Sequence, residues 1–216
     1  MTWTSRGFPL VIAAPSGAGK TTLGRALVRR AAGTVFALSA TTRPARPDER
    51  DERDYRFVDN TTFDALIESN ELLEWAYVHS FRYGTLKSGV EHALASARCV
   101  VLDIDVQGAR RIRELFEDAV LVFVLPPSAA ELERRLTDRG SESLDGRAAR
   151  LKTALHELQA VGEFEYVVIN DDFDKALDAL NAVVVAERHR RTRFVALDGR
   201  VRRMERKLAT MIGGTE

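Results

Sequence analysis

Apolar residues along this 216-residue chain gather into short unbroken runs separated by amphipathic stretches. The runs at 8–13, 100–104, 119–125 and 166–169 hold almost no polar position, as a strand buried on both faces requires. Residues 35–40 read as a further strand. Between the runs, segments 20–32, 87–96, 107–116, 128–139, 145–162 and 172–193 read as helices. Ser128, with Glu131 three residues later, is a capping-box start for one of them. Continuous strands alternating with helices predict a parallel α/β sheet covered on both faces.

Two blocks break this rhythm. From 39 to 87 the apolar pieces are short and mixed, which predicts an inserted α/β lobe. Within it, 41–54 is a polar loop with two prolines and 55–58 a short strand. A helix capped by Asn60 or Thr61 runs to Ser69, and 72–78 and 81–83 form antiparallel pieces. From 128 to 162, two helices flank the polar stretch 139–145, with Gly140 and Gly146, as a hinged lid would. The expected organisation is one domain over 1–216: a core of 1–38, 88–127 and 163–193, the lobe 39–87, the lid 128–162 and a basic tail 194–216.

Composition narrows the classes. A chain 45% hydrophobic and 30% charged buries a core and stays soluble. A net charge of +0 argues against a general nucleic-acid coat. The one cysteine, Cys99, excludes an internal disulfide framework and fits a reducing, cytoplasmic setting. No run approaches the roughly 20 apolar residues of a membrane helix. Residues 187–216 hold nine basic against four acidic residues. That is either a solvated helix face or a weak patch for nucleic acid or a partner. Monomer and homo-oligomer are both open.

The chemistry begins at Ala14-Pro15-Ser16-Gly17-Ala18-Gly19-Lys20-Thr21, which follows a predicted strand and opens a predicted helix. This is the setting of a triphosphate-binding P-loop. Gly17 and Gly19 let the backbone turn its N–H groups inward onto phosphate oxygens, and the helix adds its positive end. Lys20 reaches the β- and γ-phosphates as a point charge, and the Thr21 hydroxyl suits Mg2+. With Thr22, these residues form the expected ATP-binding segment. Alanine at 14 replaces the motif's first glycine. The strand 100–104 runs into Asp103 and Asp105, which alternation places on opposite faces. One then serves the metal's water shell and the other the acceptor.

Further segments are more specific in combination: 39–46 (Ser-Ala-Thr-Thr-Arg-Pro-Ala-Arg), 54–58, Glu74-Trp75-Ala76, Tyr83-Gly84-Thr85, 102–108 and Val168-Ile169-Asn170-Asp171-Asp172. With the P-loop they resemble guanylate kinases in order and spacing over about residues 8–186. The resemblance implies a P-loop kinase fold, Mg2+ with ATP as phosphoryl donor, and GMP, with dGMP, as acceptor. It implies that Arg43, Arg46, Tyr55 and Tyr83 hold the GMP phosphate, and that Ser39, Glu74, Thr85 and Asp105 read the guanine. It places Arg135, Arg139 and Arg150 on the phosphates when the lid closes, and Asn170 near the adenine and lid. Thr21 binds the metal directly and Asp103 through water. Lys20, Arg43 and the three lid arginines form the expected catalytic set, with Arg134 pointing elsewhere.

Independent physics agrees. Two arginines three apart suit a phosphate dianion, because guanidinium forks bind it bidentately. A glutamate accepts from both N1–H and N2–H2 of guanine, a donor pair adenine lacks, and such a contact discriminates by about 1–3 kcal/mol. The segment 47–53 has no glycine where the family usually has some, which predicts a stiffer acceptor loop. Pro44 directly after Arg43 puts the direction of that side chain in question. The competing readings are a related kinase for a phosphorylated sugar, which needs no base-reading set, and a non-catalytic binding module, which needs no Lys20 or lid arginines.

Overall fold

The computed structural model describes residues 3–78, 80–137 and 144–213. β1 (Phe8–Ala13) leads through a glycine-rich loop into α1 (Lys20–Arg30). β2 (Thr34–Phe36) and β3 (Ser39–Thr41) follow, then β4 (Arg56–Phe57) and α2 (Asn60–Glu68). β5 (Leu72–Val78) and β6 (Phe81–Leu86) precede α3 (Lys87–Ala95). β7 (Cys99–Asp103), α4 (Val106–Leu115) and β8 (Val120–Leu125) come next, then α5 (Ala129–Thr137) and α6 (Leu144–Gln159). β9 (Tyr166–Ile169), α7 (Phe173–Arg188) and α8 (Leu197–Gly213) complete the order.

The main sheet is parallel and ordered β2-β7-β1-β8-β9. Alternate residues of β1 enter different cores. Leu10 and Ile12 pack with Leu23, Leu27, Val122 and Leu180 under α1 and α7. Val11 packs with Leu102, Ile112 and Leu121 on the α4 side. Each fully buried aliphatic side chain contributes roughly 1.5–3 kcal/mol, so the β1 run is hydrophobic at every position because both faces are covered. In α/β sheets ligands gather where strand order reverses, beyond the carboxyl ends of the strands. Here that point is the end of β1, between β7 and β8. Ile12 pairs with Asp103, so the glycine loop and the first strand-end carboxylate leave the sheet side by side.

The second sheet, β4-β3-β6-β5, is mixed, with β3–β4 parallel and the other pairs antiparallel. Its small core of Ala40, Phe63, Leu66 and Leu72 is separate from the main one. No helix among the described residues is long and apolar enough to cross a membrane.

Several local expectations change. The single strand expected at 35–40 is two strands in different sheets. Ala37 still donates to Val101 of the main sheet, whereas the Leu38 carbonyl already accepts from Leu86 of the second. The cap of α2 is Asp59, whose carboxylate accepts from the Thr62 amide, not Asn60 or Thr61. β6 runs on to Leu86, because Ser39 and Thr41 supply partners for Thr85 and Tyr83. Asp105 is not on a strand: β7 ends at Asp103, and Asp105 caps α4 by accepting from Gly108. At α5, Ser128 Oγ accepts from the Glu131 amide, but the Glu131 carboxylate turns to Arg134 and Arg135. The hinge expected at 139–145 lies largely outside the described residues.

The helix expected over 172–193 stops at Arg188. The chain then turns so that Phe194 bridges Ser5, and Arg193 enters the core. Its guanidinium sits 4.0 Å from the Phe8 ring centre and pairs with Glu187 at 2.9 Å and Asp118 at 3.1 Å. One arginine of the basic tail is therefore structural. Arg188, Arg190 and Arg191 precede it, and Arg200, Arg202, Arg203, Arg206 and Lys207 follow on α8, whose side chains are largely exposed.

Candidate active site

The glycine loop has the backbone that its sequence demands at two positions. Gly17 and Gly19 both have φ of 91°, a region that side chains disfavour. A Cβ on Gly19 would also lie 2.6 Å from Asn170 Nδ2, which donates to the Ala18 carbonyl at 2.7 Å. Asn170 thus holds the loop from the end of β9. Ala14 is buried and is not among the positive-φ residues, so the motif's missing first glycine leaves no strain. Leu132 and Leu136 face Gly17 and bring α5, the first helix of the expected lid, against the loop. A cleft of about 410 Å³ opens beside it, lined by Gly17, Gly19, Thr22, Arg135, Asn170 and Phe173, among others.

Lys20 begins α1 and turns back under the loop. Its Nζ lies 2.8 Å from Asp103 Oδ1 and donates to the Ile104 carbonyl at 3.1 Å. Burial favours losing that proton. The carboxylates of Asp103, Glu157 and Asp105 outweigh it, and the Lys20 ammonium is held above its ordinary range. Thr21 Oγ1 donates to the other oxygen of Asp103. Lysine, threonine and aspartate therefore form one contiguous group.

The expected base-reading residues converge on the second sheet and the start of α4. Ser39 pairs across strands with Thr85. Glu74 Oε1 accepts from Thr85 Oγ1 at 2.5 Å and from the Thr85 amide at 3.1 Å. Burial pushes the Glu74 carboxyl up to about 7, Thr85 works against that, and the negative charge of Asp105 adds to it. Gly108 permits the approach of α4, since a Cβ there would lie 2.9 Å from Glu74 Oε2. Asp103 and Asp105 do face different partners, but the cause is the helix start rather than strand alternation.

Among the expected phosphate-holding residues, Arg43 and Tyr83 meet directly: Arg43 Nε donates to Tyr83 Oη at 3.1 Å. The Tyr55 ring stands 5.9 Å from that of Tyr83 and 5.6 Å from the Arg43 guanidinium. Burial, then Asp103, raises the Tyr55 phenol above its ordinary value, with Lys20 pulling the other way. The expected acceptor side thus lies within electrostatic reach of Lys20. The Arg46 side chain is exposed, and its part in the cluster comes from its backbone. The glycine-free stretch is tied by two carboxylates. Asp54 accepts from the Arg50 amide at 2.9 Å and pairs with Arg25 of α1, and Asp51 accepts from the Phe57 amide at 2.9 Å. Glu52 takes the left-handed turn, φ 58°, in place of a glycine.

On the lid, Arg135 donates to Glu131 at 2.6 Å and to the Asn170 carbonyl at 3.1 Å, so it reaches the strand end beside the glycine loop. Arg134 also pairs with Glu131, at 2.7 Å, and its side chain is 62% exposed. Arg150 is half-buried on α6. Arg139 lies outside the described residues. Two acidic residues that sequence reasoning missed stand in the site. Glu157 of α6 accepts from the Ser16 amide at 3.1 Å, and Glu49 holds Arg43. Glu157 shared a helix face with Arg150, seven residues apart, which was its available signal.

A family model described as guanylate kinase matches residues 6–187. The chain is 48% identical over 206 residues to the guanylate kinase of Nitrobacter winogradskyi, a match spanning 95% of this chain and 94% of that one. It is 51% identical over 176 residues to that of Dechloromonas aromatica, spanning 82% and 87%. A crystal structure of guanylate kinase from Anaplasma phagocytophilum superposes with a TM-score of 0.79 at 30% identity, covering 92% of this chain and 95% of that one.

Proposed function

The chain belongs to the guanylate kinase family and phosphorylates GMP with ATP, and we propose the following division of that work among its residues. The loop 14–22 cradles the triphosphate, with Lys20 on its outer phosphates and Asn170 fixing the loop from behind. Arg43, Arg46, Tyr55 and Tyr83 take the GMP phosphate. Ser39, Glu74, Thr85 and Asp105 take the guanine. Both GMP and dGMP fit this set, because none of its members is assigned to the ribose.

The group Thr21 and Asp103 suits Mg2+. It offers one hydroxyl and one carboxylate, and no cluster of three acidic, histidine or cysteine residues that could hold a metal occurs among the described residues. Magnesium takes most of its shell from water and phosphates, so Thr21 would bind it directly and Asp103 through water. When bound, the ion neutralises charge on the phosphate oxygens.

The transfer is an in-line attack by a GMP phosphate oxygen on the γ-phosphorus. The attacking oxygen is already anionic, so no strong base is needed, and the residues act by positioning and by offsetting charge. Arg135, Arg139 and Arg150 close over the phosphates and keep water out. A cytoplasmic site of action fits this substrate pair. A weak nucleic-acid role of the tail is tested by salt-dependent binding with and without residues 194–216.

The observation that carries the assignment is Glu74, a buried carboxylate held by Thr85 beside the start of α4, within reach of the field of Lys20. A sugar-phosphate kinase would have no use for it, and a non-catalytic module none for Lys20. A panel of nucleoside monophosphates with ATP and Mg2+, read as ADP formed, tests the reading. GMP and dGMP should turn over far faster than AMP, CMP or UMP. Equal use of AMP would overturn the base-reading set.

A further inference from the structure

The acceptor loop is closed upon one of its own side chains. Arg43 Nη2 donates to both oxygens of Glu49 at 2.8 Å, and Arg43 Nη1 donates to the Pro44 carbonyl at 2.6 Å. The Arg46 amide donates to Glu49 Oε2 at 2.9 Å. Tyr83 and Tyr55 complete the surround. Arg43 and Arg46, two of the residues assigned to the GMP phosphate, thus bind Glu49, and Tyr83 and Tyr55 stand against the same guanidinium.

A carboxylate is the closest match in a protein chain to a phosphate, with two anionic oxygens that receive guanidinium and amide donors. Burial opposes ionisation of Glu49, but the Arg46 amide and the Arg43 guanidinium prevail and hold it below its ordinary value. The Arg43 side chain is 11% exposed and that of Glu49 15%. A guanidinium covered to this degree has no open face for an incoming dianion. If Glu49 stayed, two anions would also share one cation, and like charges at such range repel.

Given the reading of Arg43, Arg46, Tyr55 and Tyr83 as the phosphate site, on which the inference rests, we propose that Glu49 occupies the place of the GMP phosphate on Arg43 in the ligand-free enzyme, and that GMP binds by displacing it. The loop is built for such an exchange. Its base is fastened by Asp54 on Arg50 and Arg25 and by Asp51 on Phe57. The turn that carries Glu49 is closed by a bond from the Glu49 amide to the Arg46 carbonyl at 3.0 Å. Glu49 therefore leaves by rotating its side chain or opening one turn, while the base stays in place. Until then it keeps Arg43 aimed and paired. It also sets a threshold for entry: a ligand with no phosphate does not gain Arg43, and a dianion outbids the single charge of Glu49.

The test uses the full chain with Glu49→Gln, Glu49→Ala and Arg43→Ala, assayed at about pH 8, where the phosphate is fully ionised. The readouts are KM for GMP, and the inhibition constant of guanosine, which has the base but no phosphate. Glu49→Gln keeps the shape and loses the charge. It should lower KM for GMP about three- to tenfold, the difference between a charge-assisted contact and a neutral one. Glu49→Ala should lower it as well. Guanosine inhibition should not change, because guanosine never displaces the carboxylate. Arg43→Ala should raise KM for GMP, and adding Glu49→Gln to it should bring no gain. If Arg43→Ala raises KM while both Glu49 variants raise it or leave it unchanged, Glu49 is a support for Arg43 and the displacement idea is wrong. If Arg43→Ala leaves KM for GMP unchanged, the phosphate-site reading itself has failed.

Discussion

Glu74 should make GMP recognition depend on pH. The residue is 8% exposed, and its carboxyl is pushed from an ordinary 4.5 to about 7, first by burial. Thr85 lowers it by donating two hydrogen bonds, Asp105 raises it, and Lys20 lowers it. The rise corresponds to roughly 3 kcal/mol against the ionised form in the ligand-free pocket. Guanine presents N1–H and N2–H2, two donors, and only the carboxylate accepts both. Protonation must then be reversed before GMP binds. With a value near 7, about nine-tenths of the enzyme is in the wrong form at pH 6, so Glu74 alone should raise KM for GMP about tenfold between pH 8 and pH 6.

The sign for stability follows from the same group. Its folded value lies above the unfolded one, so between about 4.5 and 7 the fold binds this proton and the unfolded chain does not. The stability it contributes is full below the unfolded value and is lost as pH rises to the folded value, by up to roughly 3 kcal/mol. Glu74→Gln has no such titration. In a coupled ADP-release assay the variant should bind GMP more weakly at pH 8, with a flatter KM profile. The phosphate of GMP titrates near pH 6 in both proteins, so the ratio of the two profiles isolates Glu74. In thermal melts, Tm of the variant relative to the parent should rise by several degrees from pH 5 to pH 8. Parallel KM profiles together with a constant Tm difference would show that Glu74 is ionised throughout, and the reasoning from burial would be wrong.

Three further outcomes are expected. Lys20→Ala should abolish ADP formation while calorimetry still detects GMP binding; retained turnover would remove Lys20 from the mechanism. Gly108→Ala places a Cβ 2.9 Å from Glu74 Oε2 and 3.2 Å from Ile104 Cβ. Overpacking of this kind costs about 1–3 kcal/mol, so KM for GMP should rise about tenfold with little change for ATP, and an unchanged KM would mean that α4 yields at no cost. Arg193→Ala removes the cation buried against Glu187, where the two side chains are 2% and 4% exposed, and leaves that carboxylate to the Tyr166 hydroxyl and the exposed Arg190. Denaturant melts should show a loss of about 3 kcal/mol, and a loss below about 1 kcal/mol would mean that Tyr166 and Arg190 suffice to hold Glu187.

β1, β7 and β8 were legible because both of their faces are covered: β1 has no polar position between Phe8 and Ala13 and so has one reading. β9 was read from the same kind of run, but it is an edge strand and leaves Val167 and Ile169 exposed. The turns were less so. The switch of sheets between Ala37 and Leu38 leaves no trace in composition, since both sides of it are short and partly apolar, and only the partners Val101 and Leu86 distinguish them. Arg193 looked like tail charge because its partners, Glu187, Asp118 and Phe8, lie in other parts of the chain. The assembly of Ser39, Glu74, Thr85 and Asp105 was legible only through a family pattern. Spacing alone does not tell a glutamate that meets Thr85 across a strand pair from one that faces water.

Glu49 and Glu157 were hard to read for a related reason. Glu49 sits in a charged stretch and Glu157 on an amphipathic helix, and in both settings a carboxylate usually means solvent. Yet a site that collects phosphates must exist between turnovers as a set of buried donors, and buried donors are costly when unpaired. Arg43 with the Arg46 amide, and the Ser16 amide of the glycine loop, are such donors, and each meets an internal carboxylate. The two carboxylates differ in how they are mounted. Glu49 rides on a turn with one closing bond, so it is free to leave. Glu157 precedes Leu158 and Ala160, which pack with Ala13, Val106 and Phe123 in the core. That packing ties its backbone to the core, and its bond to Ser16 fixes one wall of the loop instead of filling it. Residues that serve the empty state of an enzyme resemble neither its ligand-binding nor its core residues in sequence, and they become visible only when the donors they satisfy are in view.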